Sequence, residues 1–450
     1  MFAAASPIHG GCLVTAPARK GWCPGALRPM ETGDGLLVRL RVTGGILSTK
    51  NAHAIAACAI RYGNGLIDLS SRANLQLRGI TPQGLQDLTS ELWDLGILDA
   101  TPEAEAVRNV VASPLAGVDP DAALDIRPVV RALEARLTAD PSLHRLPGKF
   151  GFLIDDGGHI ALSQVEADVR FEAFVTSQGP RFSIRLGDAG KVCVGDCGPD
   201  QVSDCAARIA NAFLQLRCGT DVPRRMGELV GSAALASLAE AAGFQVDGRP
   251  RVPPRNFEMA RAVGHGHVGA MHYVGAAVPF GRLSGEALAR LASSAARRGA
   301  TELRLTPWRA IIVAGISAEG AASLVKELGA SRFIVDAHDP RLYIAACPGA
   351  PACQRATTAV QADAERLAGL LPQLGPKALM LHVSGCAKGC AHASPTLFTL
   401  VGNSGRYDLV ENGTARDAAA VTGLSDSEIQ AELAQRIKRH VEERAFAKLA

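Results

Sequence analysis

Two pairs of cysteines are the residues of this chain best placed to do chemistry. Cys347 and Cys353 lie in "AACPGAPACQR" with five residues between them, two of them proline, and Cys386 and Cys390 lie in "HVSGCAKGC" with three between. Both pairs sit in Gly- or Pro-bracketed loops after strand-like runs, so short turns can fan four sulfurs around one centre. A cubane 4Fe–4S cluster takes one thiolate per iron and suits that spread. Zinc competes as the metal, although structural zinc hooks use two to four intervening residues. Four ordinary buried thiols are the plain alternative, which gives no reason to gather them in two turns. A further pair, Cys193 and Cys197 in "CVGDC", has the same three-residue spacing, with Cys205 and Cys218 after it.

The elements that must hold these loops occur twice. "LSTKNAHAIAACAIRYGNGLIDLSSRANLQLRGI" (47–80) lies on "LSGEALARLASSAARRGATELRLTPWRAIIVAGI" (283–316) without a gap, at an offset of 236. Ser48 falls on Ser284, Gly63 on Gly299, Leu69 on Leu305 and Gly79 on Gly315. Each copy reads as a Ser-capped amphipathic helix, a Gly turn and two strands. A further strand precedes each, "GLLVRLRV" (35–42) and "YVGAAVPF" (273–280), giving half of a ferredoxin-like β-α-β unit in each copy.

A second duplication sets "PRFSIRLGDAGKVCV" (180–194) on "PTLFTLVGNSGRYDL" (395–409) at an offset of 215, each a hairpin turned at glycine. "LPGKFGFLIDD" (146–156) and "LGPKALMLHVS" (374–384) supply a preceding strand, and helices at 200–218 and 425–450 close the halves. On this register Cys193 faces Asp408 inside a hairpin strand, and Phe171 and Val175 take the places of Cys386 and Cys390. A single cluster, in the second half, is therefore expected. The fold class is α/β (α+β) in two pseudo-twofold repeats, each a ferredoxin-like half-domain plus a larger mixed α/β domain. The expected boundaries are 25–83 and 84–245, a Pro/Arg-rich linker at 246–257, then 258–320 and the cluster-bearing 321–450.

Composition narrows the function classes. The 450 residues allow several domains with their own cores, and the formal charge is only +3, with 20% charged and 47% hydrophobic residues. No Lys/Arg run carries interleaved aromatics, so a nucleic-acid partner is not expected. No stretch approaches 18 uninterrupted apolar residues, so no membrane span is expected either. The first residues lack a signal-like apolar stretch, with Pro7 and His9 interrupting them. Eleven cysteines, an odd and scattered set, favour reduced thiols and metal ligation over a disulfide framework, so a cytoplasmic location is expected.

The C-x5-C and C-x3-C pairs, carried in the second of two ferredoxin-like repeats, resemble the sulfite and nitrite reductase family. "SSRANLQLRGI", "VRNVVASPLAGVDP" and "LPGKF" resemble that family's Thr-Thr-Arg, Arg-Asn-Val and Leu-Pro-Arg-Lys-Phe segments, and "LRLTP" (303–307) its mirrored arginine strand. The resemblance covers nearly the whole chain and implies sulfite-reductase-like α/β domains and a 4Fe–4S cluster on Cys347, Cys353, Cys386 and Cys390. It also implies a cleft for a tetrapyrrole, whose rim carboxylates arginine grips by bidentate pairing. Arg72, Arg108 and Arg304 would face that acidic rim, helped by Asn74 and Gln76, with Lys149 near the reactive face; solvated surface charges are the plain alternative.

Three departures separate this chain from the reductases. Gly151 replaces their second lysine, the cluster loop reads Gly-Cys-Ala-Lys-Gly-Cys-Ala-His, and Trp308 and Arg309 replace Asn-Gln, adding Arg309 to the substrate set. "HVSGCAKGCAH…LVGNSGRYDLVENG" and "GWCPGALRPMETGDGLLVRL" look closer to the family's branch in aerobic cobalamin biosynthesis. Members of that branch oxidise precorrin-3A with O2, adding a hydroxyl at C20 and closing a γ-lactone. The resemblance then makes the tetrapyrrole a substrate, the cluster an electron source and the electron donor a partner not identified here. Lys388 and His392 become candidates for a substrate carboxylate or for oxygen handling, beside Lys149. Lys388 tuning the cluster's charge, or being merely solvated, is the alternative. In the reductases the last cysteine of the second pair bridges cluster and siroheme, the position of Cys390. A mononuclear non-haem iron is also implied; a 2-His-1-carboxylate set suits O2 chemistry, and "VGHGHVGAMHY" offers His265, His267 and His272, with a polar loop as the alternative. A siroheme-dependent nitrite or sulfite reductase is the competing function, and a cluster protein that only relays electrons is a third.

Overall fold

The computed structural model describes residues 24–187, 192–217, 223–229, 233–244, 255–374 and 379–446. Most of the expected linker lies outside these residues, as do Cys12, Cys23 and Cys218.

The described strands form four five-stranded sheets. One half-domain sheet runs Met30–Thr32, Gly35–Leu40, Leu75–Ile80, Leu66–Leu69 and Arg282–Ser284. The other runs Gly264–Val268, Met271–Ala277, Ala310–Ile316, Glu302–Leu305 and Ile46–Ser48. The last strand of each sheet is lent by the other half, Leu283 pairing with Ile67 and Leu47 with Leu303.

Local sequence dictates the exchange. Gly44 and Gly45, with φ of 58° and 71°, swing the chain out of its own sheet after Leu40; Phe280 and Gly281, at 53° and 80°, do so in the second half. Each lent strand then ends in a helix cap. Ser48 Oγ accepts from the Asn51 amide at 3.0 Å to start the helix Thr49–Tyr62, and Ser284 Oγ from Ala287 at 3.2 Å to start Gly285–Arg297. The two helices pack on each other, and Ile55, Ala59, Leu288, Leu291 and Leu303 fill one shared core. That core also takes in Leu88 of the helix Leu85–Asp94 and Leu324 of the helix Ala318–Gly329. Each half-domain therefore carries a second helix beyond the boundaries expected at 83 and 320.

The larger domains repeat one topology. Val110–Ala112, Phe152–Asp155 and Val169–Thr176 run parallel, followed by antiparallel Gly179–Leu186 and Val192–Cys197. Ile344–Ala346, Leu381–Ser384, Thr396–Asn403, Arg406–Gly413 and Val421–Leu424 repeat that order. The helices Val202–Leu216 and Asp426–Phe446 close the two domains as expected.

This topology corrects the second duplication. The strand Thr396–Asn403 corresponds to Val169–Thr176, so the expected register had slid by one strand. Each half holds two successive hairpins with the same two-residue alternation, and that pattern does not tell them apart. Cys193 is therefore not the counterpart of Asp408, and Phe171 and Val175 lie within a strand rather than in the cluster-loop position. The true counterpart of the cluster loop is the segment 156–168, which also lacks cysteine.

Leu303, fully buried against Leu47, supports both halves at once. Leu303→Ala should cost about 2–5 kcal/mol. Urea unfolding followed by circular dichroism should show one transition displaced to lower denaturant; two separated transitions would show that the half-domains do not unfold as a unit.

Candidate functional site

Parallel pairing brings the cysteine loops together. Ile344–Ala346 lies beside Leu381–Ser384 with Ala346 opposite Val383, so both loops leave the same edge of the sheet. The Cys347 amide donates to Val383 O at 3.2 Å, and the Gly385 amide donates to Cys347 Sγ at 3.2 Å, tying one loop to the other. Gly349 and Gly389 turn the loops at φ of 69° and 63°. The thiols grade from buried Cys347, through half-buried Cys353 and Cys386, to exposed Cys390.

The four sulfurs share one electrostatic neighbourhood. Burial raises the Cys347 thiol above its ordinary range, the Gly385 and Gly349 amides oppose this, and Cys353 and Cys390 add to it. Burial likewise raises Cys390, Lys388 and Lys149 pull it down, and Cys386 and Cys353 push it up. Four soft donors from two hooks, with peptide N–H groups turned toward sulfur, fit a 4Fe–4S cluster. Among the described residues, no group of three or more His, Cys, Asp or Glu side chains is arranged to hold a metal ion.

The first half-domain holds the cluster loop from the other side. Arg78 is out of phase with the core leucines Leu75 and Leu77 of its strand, so it leaves the opposite face, yet it is only 1% exposed. Its Nη2 donates to Ala352 O, between Cys347 and Cys353, at 2.8 Å. The rest of its guanidinium pairs with Asp34 at 2.7 and 2.9 Å and with Asp68 at 3.2 Å. Gly33 also donates to Ala352 O, and a Cβ there would lie 2.1 Å from Pro351 O, so only glycine fits. Sequence reasoning singled out Arg72 from this stretch and missed Arg78; the signal was an arginine inside the apolar run "LQLRGI".

The expected substrate residues divide. Arg72 Nη2 donates to Lys149 O at 2.7 Å, so these two neighbours from separate segments form one patch. Asn74 is buried and accepts from the Val42 amide, which makes it part of the scaffold, while Gln76 is half-buried opposite Asp68. Arg108 and Arg304 depart from the expectation that they face a ligand. Arg108 is buried in ion pairs with Asp99 at 2.9 Å and Glu134 at 3.3 Å. Arg304 Nη1 donates to Pro114 O and Ala116 O, and its Nη2 pairs with Glu302. Both guanidinium groups are occupied by the protein's own acceptors.

Arg309 differs from them. It is half-buried and lies near His382 and His392. Its φ is 61°, and Gly281 leaves room for its side chain, since a Cβ at Gly281 would lie 2.7 Å from Arg309 Cδ. No acceptor is hydrogen-bonded to its guanidinium among the described residues. Burial lowers its pKa, and Asp68 opposes this only at a distance.

Two histidines face it. His392 is half-buried, with its pKa lowered by burial while Glu166 raises and Arg309 lowers it. His382, which sequence reasoning passed over, stacks edge-on at 6.1 Å from His392, is fully buried and has no partner on either ring nitrogen. Burial pushes its pKa to about 4. Lys388 is exposed on the cluster loop. Lys149 and Glu166 from the first half thus meet Arg309, Lys388 and His392 from the second across the pseudo-twofold axis.

Comparison with known proteins agrees with this geometry. Residues 28–94 and 265–331 each match the nitrite/sulfite reductase ferredoxin-like half domain. A precorrin-3B synthase from Sinorhizobium sp is 33% identical, the match covering 92% of this chain and 88% of that protein. A ferredoxin–nitrite reductase from Synechococcus elongatus is 26% identical, covering 85% of this chain and 78% of that one. The solved structure of Mycobacterium tuberculosis NirA shares the fold, with a TM-score of 0.73 at 21% identity over 90% of this chain and 81% of that chain. The chain belongs to the nitrite/sulfite reductase family of iron–sulfur oxidoreductases. Within that family the precorrin-3B synthase is the stronger likeness and the nitrite reductase the weaker. No helix among the described residues is long and apolar enough to cross a membrane.

Arg78→Ala would leave half-buried Asp34 without its guanidinium and free the Ala352 carbonyl, a loss of about 3–5 kcal/mol by analogy with broken buried pairs. Iron and acid-labile sulfide per chain should fall together with the melting temperature, and Arg78→Lys should restore part of each. Full iron content in a folded Arg78→Ala protein would show that the half-domain does not hold the cluster loop.

Proposed function

We propose that this chain is a precorrin-3B synthase, oxidising precorrin-3A with O2 to place a hydroxyl at C20 and close a γ-lactone. The observation that carries this reading is Arg309, a half-buried guanidinium with no hydrogen-bonded acceptor among the described residues and close to His392 beside the thiol loop, in a chain whose stronger likeness is to a precorrin-3B synthase. A polycarboxylate tetrapyrrole supplies the acids that Arg309 lacks. When bound, a 4Fe–4S cluster on Cys347, Cys353, Cys386 and Cys390 supplies electrons singly, as reduction of O2 requires. A ferredoxin-type protein is the proposed donor, since several relatives are named for that partner.

The chain's own residues perform the rest. Arg309 anchors a rim carboxylate by a charge-assisted pair, and Arg72 lies beside Lys149 on the first-half side. Lys149 and Lys388, which both act on Cys390, favour negative charge developing at the reacting face. Burial lowers the pKa of the His392 ring, which can accept a proton at a ring nitrogen. The anion cradle of the reductases is thinner here by one lysine. Gly151 has room for a side chain, a Cβ there meeting Asn109 O only at 3.6 Å, so packing does not forbid lysine and the missing charge is a difference in chemistry.

Replacing any of Cys347, Cys353, Cys386 or Cys390 by Ser should lower iron content and abolish turnover, whereas Cys193→Ser and Cys197→Ser should leave both nearly intact. A visible spectrum of anaerobically purified protein should show a broad iron–sulfur shoulder; siroheme bands would instead make it a nitrite or sulfite reductase. Arg309→Ala should weaken anaerobic binding of precorrin-3A roughly ten- to a hundred-fold, a loss of about 1.5–3 kcal/mol. Arg309→Lys should recover part, because an ammonium lacks the planar bidentate fork. Unchanged affinity in Arg309→Ala would place the tetrapyrrole elsewhere.

A further inference from the structure

Cys193 and Cys197 share the three-residue spacing of a cluster hook, yet they do not form a pair. Their strand, Val192–Cys197, carries a bulge between Cys193 and Gly195, where Gly195 takes a φ of 139°. Directly paired residues of an antiparallel ladder share a face. Cys193 is therefore on the side of Arg185, whereas Cys197, opposite Phe182, is on the core side. The Cys193 sulfur contacts Ser183 Oγ at 3.6 Å and Gly195 O at 3.8 Å.

Cys197 meets a different thiol. Pro199–Gln201 turns the chain into the helix Val202–Leu216, which packs on the core face and carries Cys205 near its start. Cys197 and Cys205 are buried in one core cluster, and their thiols are hydrogen-bonded to each other. Arg208, exposed and three residues further along the helix, donates through Nη2 to Cys205 Sγ at 3.4 Å. Phe244 holds that guanidinium, whose carbon lies 4.7 Å from the ring centre. Gly243 gives it room, since a Cβ there would lie 2.9 Å from Arg208 Nη1. Two donors thus converge on a sulfur close to the positive end of a helix. Hydrogen bonding from Cys197 lowers the Cys205 thiol below its ordinary range, with burial opposing and Arg208 adding to it. The same bond, together with burial, raises Cys197. A stabilised thiolate beside a thiol that keeps its proton is the pairing that reversible thiol oxidation uses.

We propose that Cys197 and Cys205 form a reversible oxidation site that closes to a disulfide on exposure to hydrogen peroxide. The Cys205 sulfur attacks one peroxide oxygen, the O–O bond breaks, and the departing oxygen leaves as water with the proton that Cys205 gave up. Cys197 then attacks the resulting sulfenic acid at sulfur, whose hydroxyl leaves as a second water with the Cys197 proton as the S–S bond forms. Two electrons pass from the two sulfurs to the peroxide, and a dithiol reverses the change. The link ties a strand to the following helix within the larger domain of the first half. It uses none of the cluster cysteines and is independent of the reaction proposed above.

The test exposes the cluster-loaded full chain to hydrogen peroxide, quenches it in acid, alkylates the remaining thiols in denaturant and maps the peptides by mass spectrometry. Wild type should yield a linked Cys197–Cys205 peptide, two hydrogens lighter than the reduced pair and restored by dithiothreitol. In Cys197→Ser, Cys205 should stop at the sulfenic acid and be trapped by dimedone. Arg208→Gln should slow the linkage roughly tenfold at an unchanged melting temperature, through a smaller thiolate fraction. Full alkylation of Cys197 and Cys205 in peroxide-treated wild type, or linkage of either to another cysteine, would overturn the pairing. A wild-type rate in folded Arg208→Gln would overturn the part given to Arg208.

Discussion

Reciprocal loan of a strand is the constraint on which the rest of this molecule depends. Because Ile46–Ser48 completes the second sheet and Arg282–Ser284 the first, the two half-domains are joined through both of their sheets. Asp68 shows how tightly the seam is drawn. It receives Arg282 from the lent strand at 2.6 Å and Arg78 from its own sheet at 3.2 Å, and Arg78 in turn grips the cysteine loop. A chain of charge-assisted contacts thus runs from the interlocked sheets to the sulfurs. A cleft assembled from both halves needs such an arrangement, since Lys149 and Cys390 are far apart in sequence and act on each other only if both frames hold.

Duplication supplied two equivalent loops, and the two have diverged in chemistry. After Leu381–Ser384 the chain presents thiols; after Phe152–Asp155 it presents carboxylates and glycines. Asp156 in that first loop is buried beside Asp155, and burial with that neighbour pushes its pKa to about 7. Arg255 reaches Asp155 at 2.6 Å, and buried Asp168 accepts from the Gly151 and Met226 amides and pairs with Arg225. Hydrogen bonds and ion pairs hold this loop. The same topology therefore presents four thiols in one half and a self-satisfied polar loop in the other.

Much of the scaffold was legible in the sequence, because helix caps and glycine turns are local signals. Ser48 and Ser284 cap helices where the gapless repeat placed them. The hairpin register was not legible, since alternation of apolar residues is the same in successive strands and a slip of one strand costs nothing in pattern. Strand exchange was hidden for a related reason: three-residue strands carry no periodicity of their own. Arginine roles were the least legible. Arg108, Arg304, Arg78 and Arg309 all sit in strand-end motifs, and only the folded arrangement shows which of them already has acceptors.

That difference separates Arg309 from Arg108 and Arg304. Removing a guanidinium from water is costly unless acceptors replace the solvent. Arg108 meets the cost with Asp99 and Glu134, and Arg304 with two carbonyls and Glu302, so neither gains much from a new carboxylate and each would have to give up a partner to take one. Arg309 is half-buried, and Asp68 attracts its guanidinium only from a distance. A carboxylate placed beside Arg309 would supply the acceptor that its guanidinium lacks among the described residues. Arg309 thus differs from Arg78, Arg108 and Arg304 in having no hydrogen-bonded acceptor among the described residues, while it lies near His392 beside the thiol loop.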